Sequence, residues 1–202
     1  MPTRDDVEVI AEIVAAGIDV LIGPATTYDV VGFSFGGTMA SCVAALHGAR
    51  VRSVTIIGSS GVGSVGNTVD LLKVRHLQGA QRVAAHRTNL NRLMIADPAK
   101  IDALALMIQD WNTVRSRLKT PTLSRSGALW RALDKVHVPV NGIWGEKDAP
   151  ANPRAPERIA AMRARRPDAD VRMIPGAGHW VAYEAPDAVN AMLLEMLDRT
   201  RP

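Results

Sequence analysis

The feature that most constrains the fold is the segment Gly-Phe-Ser-Phe-Gly-Gly at residues 32–37. It follows a short apolar run and precedes an alanine-rich stretch, an order that predicts a strand, a tight turn and a helix. A serine on such a turn has a strained backbone, and we expect Gly32 and Gly36 to leave room for it. The first turn of the helix would direct backbone N–H groups, Phe35 N–H among them, toward a developing negative charge. The segment therefore indicates Ser34 as a candidate nucleophile.

A serine hydroxyl reacts only when a base removes its proton, so a histidine and a group that orients it are needed. His179 follows a predicted strand at residues 171–174, and Asp148 follows another at residues 138–144. The loops at the carboxyl ends of parallel strands lie on one edge of a sheet, which makes these two residues the candidate base and acid. Glu146 is a rival carboxylate in the same turn. We expect surface or packing roles for the other four histidines, His47, His76, His86 and His137.

The chain order Ser34, Asp148, His179 resembles the triad of the α/β-hydrolase superfamily, and the resemblance extends over nearly the whole chain. It implies an α/β-hydrolase-like parallel sheet flanked by helices, with a helical cap insertion. It also implies a serine hydrolase that forms an acyl-enzyme from a carboxylic ester. In that mechanism Phe35 N–H binds the oxyanion, and neither a cofactor nor a metal takes part.

The pattern Gly-His-Trp-x-x-x-Glu-x-x-Asp-x-x-Asn at residues 178–190 is similar to the corresponding segment of meta-cleavage-product hydrolases. Those enzymes cleave C–C bonds in ring-fission products. However, Phe33 and Phe35 stand where those hydrolases usually carry Asn and Met. Ester hydrolysis and C–C hydrolysis therefore both remain open, and packing beneath the histidine is an alternative role for Trp180.

Strand and helix patterns divide the chain into three segments. Residues 1–67 form a first core segment with the serine turn, residues 68–135 a helical cap, and residues 136–202 a second core segment with the acid and histidine loops. The further predicted elements are helices at 4–16, 153–165 and 187–199, a connector at 17–27, a strand at 51–58 and a glycine-rich exit at 61–67.

The cap is predicted to be helical throughout, because apolar residues recur at steps of three and four, and Asp97-Pro98 begins one of its helices. These apolar positions are Leu90, Leu93, Met94, Ile101, Leu104, Ala105 and Ile108. A cap would cover the serine and shape the substrate pocket. Candidate pocket residues are Phe33, Met94, Met107, Trp111, Trp130 and Trp180, and packing is an alternative for all of them except Phe33.

The length of 202 residues is short for the superfamily, whose members usually run beyond roughly 250. The shortfall precedes Ser34, where the family has further strands and a loop that gives the second oxyanion donor. Losing one such donor costs about 100- to 1,000-fold in turnover. We expect an exposed sheet edge through which copies could associate. A truncated, inactive hydrolase that acts as a binding or dimerising module is therefore an alternative function.

Composition favours a globular protein, since 47% of the residues are hydrophobic. The resemblance to hydrolases implies a small-molecule substrate. No apolar run approaches the roughly 20 residues needed to span a bilayer, and no basic signal-peptide start is seen, so we expect a cytoplasmic protein without membrane contact. The net charge of +4 comes from arginines at helical spacing without interleaved aromatics, which argues against nucleic-acid binding. The single cysteine, Cys42, is expected to be buried and unreactive.

Overall fold

The computed structural model describes residues 7–59, 61–62, 69–118, 123, 126–151 and 155–199. Four strands alternate with helices in the order expected for a layered α/β protein. The strands are β1 (Tyr28–Phe33), β2 (Val51–Ile57), β3 (Val140–Gly145) and β4 (Asp170–Ile174). The helices are α1 (Val7–Ile22), α2 (Phe35–His47), α3 (Gly79–Asn89), α4 (Ala103–Arg115), α5 (Ala128–Leu133), α6 (Ala155–Arg165), α7 (Val181–Glu184) and α8 (Pro186–Asp198).

The sheet is parallel throughout, in the order β1-β2-β3-β4, which confirms the predicted fold class. The central strands β2 and β3 read as nearly continuous runs of buried residues, as strands covered on both faces do. Helices α2, α5 and α6 supply much of that cover, because Ala40 and Ala44, Leu129 and Met162 belong to one buried cluster with the strand residues. The carboxyl ends of all four strands therefore lie on one edge of the sheet.

Strand β1 lies at one end of the sheet formed by the described residues. Its Val31 side chain is 42% exposed, whereas the β2 residues beside it are buried. An edge strand with unpaired backbone groups can pair with another chain. The expectation that copies associate through this edge stays a prediction.

Helix α1 is longer than the sequence predicted, because it continues through Gly17 to Ile22 instead of giving way to a connector at residues 17–27. Glycine inside a helix costs about 1 kcal/mol and does not by itself end it. The helix ends at Gly23, whose positive φ of 85° suits a left-handed cap and whose N–H donates to Asp19 O at 3.0 Å. None of the described helices is both long enough and apolar enough to cross a bilayer.

Two predicted helix starts, at residues 4 and 153, and most of the glycine-rich exit at 61–67 lie outside the described residues. The last predicted helix, at 187–199, corresponds to α8, which begins one residue earlier with Pro186 at its first turn.

The insertion between β2 and β3, residues 69–135, is less regular than the all-helical prediction. Residues 69–78 form no helix, and a π-helical turn, Leu90–Met94, separates α3 from α4. Asp97 does accept from Ala99 N, as a capping residue should, but it caps only the 3₁₀ turn Pro98–Lys100. The longer helix starts after a second aspartate cap, Asp102. Apolar residues at steps of three and four cannot reveal such breaks, since a single 3₁₀ or π turn is too short to change the pattern visibly.

The predicted apolar face of the insertion is only partly buried. Leu90, Ile101 and Ala105 are buried together with Ile95, whereas Leu104 is 49% exposed. Helix α5 lies at the end of the segment predicted as the cap, and its Leu129 and Leu133 pack in the main core beside α2. The C-terminal end of the insertion therefore belongs to the layer that covers the sheet. The cap boundaries at residues 68–135 stay a prediction.

We predict that Asp170, at the start of β4, makes a modest contribution to the free energy of unfolding and that this contribution depends on pH. Arg172 donates two hydrogen bonds to this carboxylate, at 3.0 and 2.8 Å, and Arg199 a third at 2.7 Å. These contacts, Arg172 first, lower the pKa of Asp170 below its ordinary value near 3.8. A lowered carboxyl pKa stabilises the fold above the unfolded-state value and loses that stabilisation as pH falls through the folded-state value. Asp170→Asn should therefore cost about 1 kcal/mol at pH 7 in urea unfolding, and the difference from wild type should be smaller at about pH 3 than at pH 7. An equal difference at both pH values would contradict the assignment.

Candidate active site

The serine turn has the backbone strain that the sequence predicts. Ser34 has φ 53° and ψ −119°, and it is the one non-glycine residue with positive φ in the described part of the chain. Its N–H donates to Ile57 O at 2.8 Å, which fixes the turn to the end of β2, and its carbonyl accepts from Gly37 N at 3.0 Å. Helix α2 begins at the next residue, so Phe35 N–H is one of the first-turn donors that have no partner within the helix.

Gly32 and Gly37 are the glycines on which this turn depends. A Cβ on Gly32 would overlap the Gly36 carbonyl and lie 2.7 Å from Gly37 N. A Cβ on Gly37 would collide with the Ser59 side chain and lie 3.2 Å from Gly32 O. A Cβ on Gly36 would meet no atom within 4 Å, which corrects the expectation that Gly36 itself provides the space. Gly36 matters through its backbone, which lies so close to Gly32 that residue 32 cannot carry a side chain.

The structure brings Ser34, His179 and Asp148 together in a hydrogen-bonded line. His179 Nε2 lies 3.0 Å from Ser34 Oγ, and His179 Nδ1 lies 3.0 Å from Asp148 Oδ2. Asp148 accepts at Nδ1, so that nitrogen carries the proton and Nε2 is free to accept from the serine hydroxyl. This arrangement can take a proton from Ser34 and stabilise the imidazolium that results.

Asp148 is fully buried at the end of the loop after β3. Its Oδ1 accepts from Ala151 N at 3.2 Å, which leaves Oδ2 for the histidine. The buried Arg158 guanidinium lies close enough to interact with this carboxylate, although desolvation is the larger effect and lowers the pKa of Arg158. The rival carboxylate, Glu146, is exposed and accepts from Gly176 N at 2.8 Å instead.

His179 belongs to the histidine loop, residues 175–180, which follows β4. The loop lies directly on the end of β3, because a Cβ on Gly145 would collide with the carbonyls of Ala177 and Gly178. The ring of Phe33 lies 5.0 Å from the imidazole, centroid to centroid, at an interplanar angle of 45°, so the two rings pack against each other. The histidine is only 4% exposed and is held between the strand ends and this ring.

Ser59 is a residue that the sequence analysis did not single out. Its hydroxyl donates to Ser34 O at 2.9 Å, and its own carbonyl accepts from Arg158 Nη1 at 3.2 Å and from Trp144 Nε1 at 3.4 Å. It therefore links the serine turn to the residues beneath Asp148. The Ser-Ser pair after β2 gave no periodic or motif signal for this contact.

The predicted pocket residues fall into two groups. Phe33, Met94 and Trp180 lie beside the histidine, since Met94 O accepts from Trp180 N at 2.6 Å. Met107 and Trp111 lie on α4 and are 60% and 58% exposed. The Arg115 guanidinium lies over one face of the Trp111 ring. Trp130 packs against the main core and beneath Arg165, away from the triad. Trp180 stacks on Tyr183 and contacts the apolar cluster of the insertion, which supports its packing role.

The remaining polar candidates have structural roles. Burial raises the pKa of Cys42 to about 11, so its thiol stays protonated at neutral pH. His47 bonds to Tyr28 Oη and His86 to Asp110, while His76 and His137 are exposed. Within the described residues, no cluster of three His, Cys, Asp or Glu side chains could hold a metal ion.

Comparisons with known proteins agree with the fold. The profile of the "Alpha/beta hydrolase family" matches residues 2–192. A dihydrolipoyllysine-residue acetyltransferase component of the acetoin cleaving system of Pseudomonas putida is 31% identical over 208 residues, which cover 96% of this chain and 51% of the relative. The chain thus spans about half the length of that curated relative.

Solved structures show the same architecture. A candidate aryl esterase of Burkholderia cenocepacia superposes with a TM-score of 0.73 at 19% identity, covering 99% of this chain and 75% of the other. A meta-cleavage product hydrolase of Pseudomonas fluorescens IP01 gives 0.65 at 16% identity, covering 92% and 70%. At these identities the likeness establishes the fold alone.

Proposed function

Because the chain belongs to the alpha/beta hydrolase family, we propose that it is a serine hydrolase that cleaves a carboxylic ester through an acyl-enzyme. The observation that carries the proposal is the hydrogen-bonded line from Ser34 through His179 to Asp148, with 3.0 Å at each step. A nucleophile, a base and an orienting acid must lie within hydrogen-bonding distance of one another, whatever the substrate is.

In the proposed reaction, Ser34 Oγ attacks the ester carbonyl while His179 Nε2 takes the hydroxyl proton. Asp148 keeps the imidazole in the required tautomer and stabilises the imidazolium. The oxyanion that forms on the former carbonyl oxygen is stabilised by Phe35 N–H at the start of α2. The imidazolium then protonates the leaving alcohol, and water activated by the same histidine releases the acid.

We propose that the insertion acts as the cap of this site, through the region around Met94 that contacts the histidine loop. Met94 and Trp180 are joined there by a backbone hydrogen bond. Phe33, the last residue of β1, packs against the imidazole. Phe33 would present an apolar surface to the acyl group, whereas Met94 and Trp180 pack against the apolar cluster of the insertion and would hold the cap in place. Met107, Trp111 and Trp130 are not proposed as pocket residues, because they lie on exposed or core-facing surfaces elsewhere.

Hydrolysis of a C–C bond in a ring-fission product is the second candidate. It is favoured by the similarity of residues 178–190 to meta-cleavage-product hydrolases and by the likeness of the fold to one of them. The ester remains the first choice because Trp180, the distinctive residue of that segment, packs against the insertion. Comparing turnover of p-nitrophenyl esters with that of a dienoic ring-fission product separates the two.

Labelling of the purified chain with a fluorophosphonate tests the proposal. We expect one phosphonyl group per molecule by intact mass, and no labelling of Ser34→Ala, which lacks the nucleophile, or of His179→Ala, which lacks the base. Circular dichroism and thermal unfolding should show that both variants remain folded. A folded wild-type chain that takes up no label would overturn the proposal and favour an inactive binding module.

A further inference from the structure

A buried carboxylate joins the histidine loop to the insertion. Glu184, the last residue of α7, is 3% exposed. Its Oε2 accepts from Gly178 N at 2.7 Å and from Ala96 N at 3.1 Å, and its Oε1 accepts from Asp97 N at 2.8 Å. Three backbone donors thus satisfy both oxygens, which offsets the cost of burying the group.

The donors come from two separate parts of the chain. Gly178 directly precedes His179, whereas Ala96 and Asp97 belong to the insertion, more than eighty positions away in sequence. We call residues 94–97 the insertion edge. The carboxylate therefore acts as a bridge between the insertion edge and the residue before the histidine.

The residue after the histidine is attached to the same edge. Trp180 N donates to Met94 O at 2.6 Å. The two neighbours of His179 are thus both hydrogen-bonded to the insertion edge, one through Glu184 and the other directly. A Cβ on Gly178 would lie 2.7 Å from Ala96 N and 2.9 Å from Met94 O, so the two segments touch without space for a side chain.

Two further contacts hold α7 to the insertion. Lys100 Nζ donates to Glu184 O, and Tyr183 Oη donates to Asp102 Oδ1, each at 2.5 Å. Desolvation and this bond to Asp102 raise the pKa of Tyr183 to about 12, so its hydroxyl remains a donor across the physiological range. Displacement of the insertion edge would therefore displace the backbone on both sides of His179.

We propose that Glu184 is a positioning residue, which holds His179 in line with Ser34 by tying the histidine loop to the insertion edge. The inference rests on the proposed serine hydrolase function and goes beyond it, since it makes the reactivity of the triad depend on where the insertion sits. Positioning matters because an error of about 1 Å in a reacting group can cost on the order of 100-fold in rate.

Glu184→Gln is the sharpest test, because it keeps the size of the side chain and removes one acceptor. In either orientation of the amide, its NH₂ group faces at least one backbone N–H that the carboxylate now accepts. We expect the rate constant for fluorophosphonate labelling and kcat for ester hydrolysis to fall about 10- to 100-fold. The end point of labelling should remain near one per molecule.

Glu146→Gln is the matched control. Glu146 also accepts from a backbone N–H of the histidine loop, that of Gly176, but through an exposed carboxylate. We expect Glu146→Gln to keep the labelling rate and kcat within about twofold of wild type, since a surface contact of this kind contributes little. Equal losses in both variants would mean that any weakened contact of the loop has the same effect, and would overturn a specific role for Glu184.

The labelling rate separates positioning from a merely structural role. Loss of stability alone would lower the observed rate only in proportion to the folded fraction, which circular dichroism measures, and would leave the rate constant per folded molecule unchanged. An unchanged rate constant in Glu184→Gln, with wild type fully labelled, would overturn the inference and leave the proposed function standing. A wild-type chain without label would instead overturn the proposed function.

Native-state hydrogen exchange of the wild-type chain tests the bridge without any variant. If Glu184 joins the two segments, the amides of Ala96, Asp97, Gly178 and Trp180 should open together, with one common protection factor. Separate protection factors for the insertion edge and the histidine loop would overturn the bridge, even if Glu184→Gln did not fold.

Discussion

Replacing Asp148 by asparagine is expected to lower kcat about 10⁴-fold, the largest effect on chemistry that we predict for a change of so few atoms. The variant keeps the size of the side chain, so KM should change less than about threefold. The loss arises because the histidine is left in the wrong tautomer. A protonated Nε2 cannot accept the proton of Ser34.

A contact of Asp148 with Ala151 favours one orientation of the new amide. Oδ1 accepts from Ala151 N at 3.2 Å, and an NH₂ group there would face another donor. The asparagine oxygen therefore stays against Ala151, and the NH₂ group is directed at His179 Nδ1. That nitrogen must then accept, which moves the proton to Nε2.

Steady-state hydrolysis of a p-nitrophenyl ester by Asp148→Asn and Glu146→Gln measures this effect. Glu146 lies in the same turn but bonds to Gly176, so its replacement should leave kcat within about twofold. A large loss in Glu146→Gln with normal turnover in Asp148→Asn would identify Glu146 as the acid. Equal activity of both variants would show that the histidine needs neither carboxylate.

Replacing Gly32 by alanine should reduce the free energy of unfolding by at least about 3 kcal/mol. The added methyl group would overlap the Gly36 carbonyl and approach Gly37 N to 2.7 Å. Both are backbone atoms at the start of α2, which cannot rotate away as a side chain could. Relief would require the serine turn to open, so labelling of Ser34 should fall as well.

Gly36→Ala is the control for this prediction, because a Cβ there meets no atom within 4 Å. Alanine in a helix is favoured over glycine by about 0.5–1 kcal/mol, so this variant should be slightly more stable than wild type. Thermal unfolding should give a Tm for Gly32→Ala at least about 6 °C below wild type. Similar Tm values for the two variants would contradict the steric account of the turn.

The sequence was sufficient for those parts of the molecule that depend on local pattern. The four parallel strands follow from short apolar runs separated by helical segments, and the serine turn follows from glycine spacing between a strand and a helix. The side chains of Ser34, Asp148 and His179 meet because each follows the carboxyl end of a different parallel strand. Their catalytic roles stay predictions.

Contacts between distant segments could not be read from the sequence. Gly37 depends on Ser59, and Glu184 depends on the insertion edge, so neither dependence leaves a trace in local spacing. The same limit explains why Met107 and Trp111 were predicted to line the pocket. Helical periodicity identifies an apolar stripe but not the surface on which that stripe will lie, and here both side chains remain largely exposed.

The hydrogen bond between Ser34 and His179 joins residues that are 145 positions apart in sequence. A contact of this kind forms only after the intervening strands have paired, and closing so long a loop is slow compared with the formation of local helices. Collapsed species with native helices and an incomplete sheet would have no paired serine and histidine. The pairing of Ser34 with His179 thus belongs to the global stage of folding, and it would be lost with cooperative opening of the sheet.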